Sequence, residues 1–373
     1  MAKLSHRVLV LSPFAPTSAR GNAVTARRTV TRLEQSGATV RLVQADPGLV
    51  EAAIAEFKPD VLHGVHIGHT LTGLGGNPDQ LPNLPIVLTF GGNDLFEDLG
   101  VAPDREHPGE TKAGSVALLE RASAVIVATD SQQDRAVALL GSGAAVFFAP
   151  RCPEIGFEAL PHLAPLIAEA RQGREPAVTI AWSGALRHQK RPEWIAPIHQ
   201  ALSAELPGLV TLVAGPAPRD EAERARATEL ANIPGIALVP PYPGGGPGIG
   251  ATGTLLAATD AVLNTSRTEG KSNFILEAIA MSTPVVAANT PGNRDWLANV
   301  ATLFDTPEEA VAALGELLRN PTAASELAQR ALATTGLERA ERAESDALAN
   351  AHRLALSSLG TPRSEHDPKR PTK

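Results

Sequence analysis

Glu269 and Glu277 stand eight residues apart, on either side of a Gly-Lys-Ser-Asn turn, in the stretch Asn264-Thr-Ser-Arg-Thr-Glu-Gly-Lys-Ser-Asn-Phe-Ile-Leu-Glu-Ala. A buried strand, Ala261–Asn264, leads in, and a helix over Asn273–Met281 leads out, with Ser272 or Asn273 at its N-cap. A helix start of this kind offers main-chain N–H groups, here from Gly270, Ser272 and Asn273, and a positive dipole end to an anion. Lys271 adds a cation in the same turn. One carboxylate before the helix and one on it can bracket an extended ligand, each taking hydroxyl groups. Two acids also suit glycoside hydrolysis, but such pairs do not usually come with an anion-binding helix end beside them. A glutamate on an amphipathic helix is also commonly just solvated.

Cations stand at a second strand exit. Ser183-Gly-Ala-Leu-Arg187-His-Gln-Lys190-Arg-Pro192 follows the apolar run Val178–Trp182. Arg187 supplies a bidentate fork and Lys190 a point charge, a combination fit for a diphosphate. Solvated surface cations are the competing reading.

The first half of the chain adds polar groups at three more strand exits. After Arg7–Leu11, Gly21 and Asn22 immediately precede a helix beginning near Val24, another place for an anion, although no G-x-G-x-x-G pattern is present. After Val61–Val65, which carries His63, come His66 and His69. They can act as hydrogen-bonding or proton-transfer groups or as loop and packing residues. A three-histidine metal site is the sharper alternative, with no acidic ligand pattern beside it. After Ile86–Phe90, Gly91 and Gly92 permit a tight turn, and Asp94 can accept from sugar hydroxyls. The Gly-rich segment Pro243–Gly253 lacks the GK[ST] of a P-loop and reads as a connection.

These residues need elements to place them. The Val/Ile/Leu-rich runs named above, with Thr39–Val43, Ala124–Ala128 and Ala145–Ala149, show no polar alternation, as expected for strands buried on both faces of a parallel sheet. Helical patterns over Val24–Gln35, Gly48–Phe57, Ala113–Arg121 and Ser131–Leu140 alternate with them. A Pro-punctuated stretch follows, with one short helix at Ala164–Arg171, and alternation then restarts. The second half predicts strands Val178–Trp182, Val210–Ala214, Ile236–Val239, Ala261–Asn264 and Val285–Ala288. Its helices are Pro192–Ala204, Arg219–Ala231, Thr254–Ala258, Asn273–Met281, Pro307–Arg319 and Thr322–Ala331. The organisation is therefore an α/β domain over 1–150, a linker over 151–176, a second α/β domain over 177–335, a charged helix over 336–359 and a disordered tail over 360–373. Two doubly wound domains facing a cleft suit an enzyme that closes on two substrates.

Composition bounds the function classes. The 373 residues carry 33 Lys+Arg against 40 Asp+Glu, a net charge of −7, which argues against a general nucleic-acid binder. With 43% hydrophobic and 20% charged residues the chain is globular rather than disordered. One cysteine, Cys152, excludes a disulfide framework and a cysteine-based metal centre and fits a reducing cytoplasm. No apolar run reaches the roughly 20 residues of a membrane helix.

Glu269 to Ala278, with Pro284-Val-Val-Ala-Ala and Pro291-Gly-Asn293 behind it, resembles the E-x7-E donor signature of retaining GT-B glycosyltransferases of group 1 (family 4). Gly21-Asn-Ala-Val-Thr25, Phe90-Gly-Gly-Asn-Asp94 and Leu186-Arg-His-Gln-Lys190-Arg-Pro192 are similar to the glycosyltransferase-1-domain-containing subgroup and to selenosugar synthases. The resemblance implies two Rossmann-like domains and transfer of a sugar from a nucleotide-diphosphate donor, UDP first and GDP second, to a small soluble acceptor. It implies retained configuration and no metal or other cofactor. In that scheme Glu269 contacts the donor sugar, Glu277 the ribose, and Arg187 and Lys190 the diphosphate. Gly270, Ser272 and Asn273 present donors to sugar or phosphate, Gly21 and Asn22 approach the diphosphate, and His66 sits near the anomeric centre. The chain departs from the family where Gly184 is followed by Ala185 rather than Arg, so Arg187 takes that role. The competing readings are an S- or Se-glycosyltransferase of specialised metabolism, a nucleotide-sugar epimerase or hydrolase, and a non-catalytic nucleotide-sugar-binding protein. Nucleic acid and integral membrane association are not expected, and oligomeric state is open.

Overall fold

A computed structural model describes residues 5–18, 20–92, 94–101, 111–153, 155–240 and 251–357. The expected tail 360–373, most of the Pro243–Gly253 segment and residues 93 and 102–110 lie outside the described residues.

The chain forms two six-stranded parallel sheets. The first contains β1 (Arg7–Ser12), β2 (Thr39–Gln44), β3 (Val61–Val65), β4 (Ile86–Thr89), β5 (Ala124–Val127) and β6 (Val146–Phe148), in the order β2-β1-β3-β4-β5-β6. The second contains β7 (Val178–Ser183), β8 (Leu209–Ala214), β9 (Ile236–Leu238), β10 (Ala261–Asn264), β11 (Val285–Ala288) and β12 (Thr302–Phe304), in the order β12-β11-β10-β7-β8-β9. Every pairing is parallel. In each sheet the first strand of the domain lies beside a strand that winds the other way, β1 against β3 and β7 against β10, with Val10 opposite His63 and Leu263 opposite Trp182. Open α/β sheets bind ligands at the carboxyl ends of strands at such reversals. The exits of β1, β3, β7 and β10 are where the candidate residues sit.

Alternate side chains of β1 feed two cores. Val8 and Val10 pack with Ala26 and Leu33 of the Gly21–Gln35 helix, and Leu9 and Leu11 pack with Val50, Ile67 and Leu118 on the opposite face. Burial on both faces explains why the strands read as unbroken apolar runs.

Four features differ from the expectation. Ile67–Gly73 is a helix directly after β3. Pro291-Gly-Asn opens the helix Pro291–Leu297, with Pro291 at its start and the Thr290 hydroxyl accepting from the Asn293 N–H. Thr302–Phe304 adds an edge strand. The Pro192–Ala204 segment divides into a 3₁₀ turn, Pro192–Trp194, and a helix, Ile195–Glu205. The last helix, Leu337–Ser357, returns from the second domain and packs on the first, with Ala347, Leu348, Ala351 and Ala355 in the core on the side of β3, β4, β5 and β6.

Candidate active site

One cleft of about 200 Å³ lies between the sheets, and eleven of the thirteen sequence-nominated residues line it: Gly21, Asn22, His66, Gly92, Arg187, Lys190, Glu269, Lys271, Ser272, Asn273 and Glu277. Asp94 and Gly270 do not line it.

The loop after β10 builds the acidic centre. Glu269 is buried, and its Oε1 accepts from Lys190 Nζ, from Ser266 Oγ at 2.9 Å and from Asn264 Nδ2 at 3.3 Å. Burial alone would raise the carboxyl pKa, but Lys190 and these hydrogen bonds together hold it below the usual range. Lys190 is thus engaged with Glu269, and both side chains line the cleft. Thr265 Oγ1 accepts from Trp182 Nε1 at 2.8 Å and lies 2.6 Å from the Lys190 carbonyl, and the Arg267 N–H bonds the Gln189 carbonyl at 2.9 Å. These bonds pin the Arg187–Arg191 loop to the loop that carries Glu269.

Helix Asn273–Ala280 begins next, with Ser272 at its N-cap position. The Ser272 hydroxyl makes no capping bond, which leaves main-chain donors at the end that faces the cleft. Glu277, one turn along, is buried with this face. Helix Gly21–Gln35 presents its own start to the same cleft, again without a side-chain cap, and Gly21 lies inside the first turn rather than ahead of it.

Two glycine positions let the loops meet. A Cβ on Gly292 would fall 1.8 Å from the Glu269 carbonyl oxygen, so only glycine lets the Pro291–Leu297 helix support that loop. A Cβ on Gly270 would fall 2.8 Å from Gln132 Nε2 and 3.2 Å from the Gly92 Cα. Gly270 therefore serves close packing of the two domains rather than lining the cleft.

From the first domain comes His66, held at φ +73° at the end of β3. A non-glycine residue there is uncommon and is kept only where its surroundings enforce it. Its Nδ1 lies 2.9 Å from Asp94 Oδ1 and 3.8 Å from Asp98 Oδ2, and Nε2 lies 4.0 Å from Glu97 Oε2. Burial would lower the imidazole pKa, yet the three carboxylates outweigh it and the pKa is raised. Asp94 corrects its expected role. It is fully buried, its Oδ2 accepts from the Gly91 N–H at 2.6 Å, and it faces His66 rather than the cleft. His69 lies edge-on to His66, 4.9 Å between ring centroids, and its pKa is pushed down to about 4 by burial and by the His66 charge. Adjacent imidazoles driven apart in pKa are a recurrent arrangement for proton handling.

His63 belongs to a different structure. Its Nδ1 is 2.9 Å from His352 Nε2, its Nε2 is 2.8 Å from Thr89 Oγ1, and His352 stacks between His63 and His6. The three histidines of the 63–69 segment therefore do not converge. Among the described residues the set that could hold a metal ion is His66, Asp94 and Asp98, whose ligand atoms lie within 4.8 Å of one another.

Two further charged cleft residues escaped the sequence reading. Arg20 stacks over Phe14, with Cζ 5.2 Å from the ring centroid, and its place beside Gly21 was the available signal. Arg151, at the start of the stretch read as a linker, is buried and donates to the Lys271 carbonyl at 2.9 Å and the Phe90 carbonyl at 2.7 Å. It ties the donor-side turn to the first domain, and burial together with nearby Arg28 lowers its pKa to about 10. No local pattern marked it.

Two Rossmann-like domains with a cleft between their strand exits define the GT-B architecture. Residues 177–320, the domain that carries Glu269, Glu277, Arg187 and Lys190, match the family model for glycosyl transferases group 1. A curated relative, glycosyltransferase 1 domain-containing protein 1 of Xenopus tropicalis, is 28% identical over 138 residues. That match spans 36% of this chain and only 39% of the relative's length. A sucrose-phosphate synthase from Thermosynechococcus elongatus has a similar fold, with a TM-score of 0.65 and 15% identity over 95% of this chain and 97% of that one. Anabaena HepE, solved with UDP and glucose, has a TM-score of 0.63 and 17% identity over 95% of this chain and all of its own.

Proposed function

We propose that the chain is a glycosyltransferase that moves a sugar from a nucleoside-diphosphate donor, UDP first and GDP second, to a small soluble acceptor, with retained configuration and without a metal. The observation that carries this reading is the convergence of Glu269, Lys190, Arg187, Glu277 and the Asn273–Ala280 helix start in one cleft, opposite His66. The family match of the second domain supports the donor class, and the UDP in a structural neighbour supports the order of nucleotides. With a single cysteine and no helix among the described residues long and apolar enough to cross a membrane, we place the protein in the cytoplasm.

In the reaction the bond from the anomeric carbon to the β-phosphate oxygen breaks, and a bond from the acceptor nucleophile to the same face of that carbon forms. Negative charge grows on the departing diphosphate. Arg187, Lys190 and the N–H groups at Ser272 and Asn273 stabilise it, Lys190 from its pairing with Glu269, and one preorganised donor is worth roughly 3–4 kcal/mol. The acceptor proton passes to the departing oxygen. Glu269 holds the sugar hydroxyls and Glu277 the ribose. A protonated His66, backed by Asp94, donates to the sugar near the reacting centre.

A thermal-shift and nucleotide-release panel over UDP-, GDP-, ADP- and dTDP-sugars, run with EDTA, tests the proposal. Stabilisation by one donor, surviving EDTA, with nucleotide release that requires an acceptor, is the expected result. Oxygen, sulfur and selenium nucleophiles form the acceptor arm. Release without acceptor would favour a hydrolase or epimerase, and binding without release a sensor. Loss of the signal in EDTA would transfer the metal question to His66, Asp94 and Asp98. No shift with any donor would sink the donor-site assignment.

A further inference from the structure

Arg28 lies inside helix Gly21–Gln35, only 1% exposed, and bonds two other parts of the molecule. Its Nε donates to Glu344 Oε1 of the C-terminal helix at 2.9 Å, and its Nη1 donates to Asn273 Oδ1 at 3.2 Å. Asn273 opens the helix that meets the donor. With its oxygen turned to Arg28, its Nδ2 faces the first domain and donates to the Gly21 carbonyl at 3.0 Å. The guanidinium has only donors, so it fixes which way the amide points. One side-chain amide thus joins the two helix starts that line the cleft from opposite domains. These are like dipole ends, which repel until an anion sits between them. Glu344 balances Arg28 and also accepts from the Cys152 N–H at 3.2 Å, where the chain crosses between domains.

We propose that Arg28 is a positioning residue, acting through Asn273 to hold the cleft assembled before substrate arrives, and that Glu344 makes the C-terminal helix part of the same device. The inference rests on the glycosyltransferase reading for its kinetic consequence but not for its conformational one. Arg28 touches neither the cleft nor the reacting atoms. If it pre-assembles the site, its loss makes donor binding supply the closing free energy, and apparent affinity falls by the fraction of closed molecules lost.

The test uses Arg28→Lys, which keeps the charge but loses the fork needed to hold Glu344 and Asn273 together. The second variant, Glu344→Gln, keeps the shape and removes the charge. Each is read twice: steady-state kinetics with the nucleotide sugar, and small-angle scattering of the ligand-free protein. The expected result is a donor KM raised about tenfold with kcat within about threefold, and a larger radius of gyration that returns to the wild-type value with saturating nucleoside diphosphate. A fall in kcat at unchanged KM marks a general structural defect and overturns the proposal, as does an unchanged KM in both variants. Should the wild type transfer no sugar, the glycosyltransferase reading fails by itself, and scattering alone decides. An enlarged ligand-free variant then supports the positioning role, and an unchanged one removes it.

Discussion

Asp94 stands directly behind His66, its Oδ1 2.9 Å from the imidazole Nδ1, while its other oxygen is fixed by the Gly91 N–H. The carboxylate therefore orients the ring and favours its charged form. Asp94→Asn keeps the shape and deletes the charge. The Asp94 charge helps to raise the His66 pKa, so its removal should lower that pKa. Since the proposed reaction uses protonated His66, the alkaline limb of kcat should move to lower pH. A pH–rate profile measures it, and an unmoved limb would remove His66 from the proton inventory.

Glu269 and Lys190 form one unit, so their losses should not add. Removing either leaves its partner charged and poorly solvated. Glu269→Gln and Lys190→Met are each expected to lower kcat/KM by about 10²–10³-fold, and the double variant by little more. Circular dichroism checks that the fold survives. Additive losses would show that the two act in separate steps.

The histidine stack predicts acid sensitivity unrelated to catalysis. Burial pushes His63 down to about 3, and His352 is lowered by burial and by its histidine neighbours. In the unfolded chain both titrate near 6.5. A base with a depressed folded pKa binds fewer protons folded than unfolded, so the stability is full above pH 6.5 and is lost as pH falls toward 3. At pH 5 the loss is about 2 kcal/mol for His63, and His352 adds to it in the same direction. Denaturant midpoints at pH 7 and pH 5 should show it, and His352→Gln should shrink the difference. A wild-type midpoint flat over this range would contradict the neutral stack.

Gly292→Ala is expected to destabilise the protein by about 1–3 kcal/mol, because the new methyl group must displace the Glu269 backbone. The displacement should also abolish the nucleotide-induced thermal shift. Melting curves with and without UDP measure both, and an alanine variant that melts and binds like wild type would show the loop to be more yielding than its packing indicates.

Much of the fold was legible because it is written locally. Strands buried on both faces must be apolar throughout, and β1, β3, β5, β10 and β11 stand within one residue of the runs that announced them. The E-x7-E pattern was legible for the same reason: strand, turn and helix are contiguous, so spacing alone places Glu269 and Glu277 on one cleft wall. Short elements were harder. Ile67–Gly73 mixes glycine, threonine and histidine, and nothing local separates it from a loop.

The sequence by itself determined two doubly wound domains and the strand exits that carry the functional groups, since both follow from patterns repeating within about 10 residues. Only the tertiary structure decided what those groups touch. Lys190 meets Glu269 across 79 residues, Arg28 meets Glu344 across 316, and His63 meets His352 across 289. It also withdrew Asp94 from the cleft to serve His66, and drew Arg20 and Arg151 into the site. The reason is physical. Periodicity fixes which face of an element is buried, whereas the partner of a buried charge depends on how separate elements pack, and no spacing along the chain encodes that.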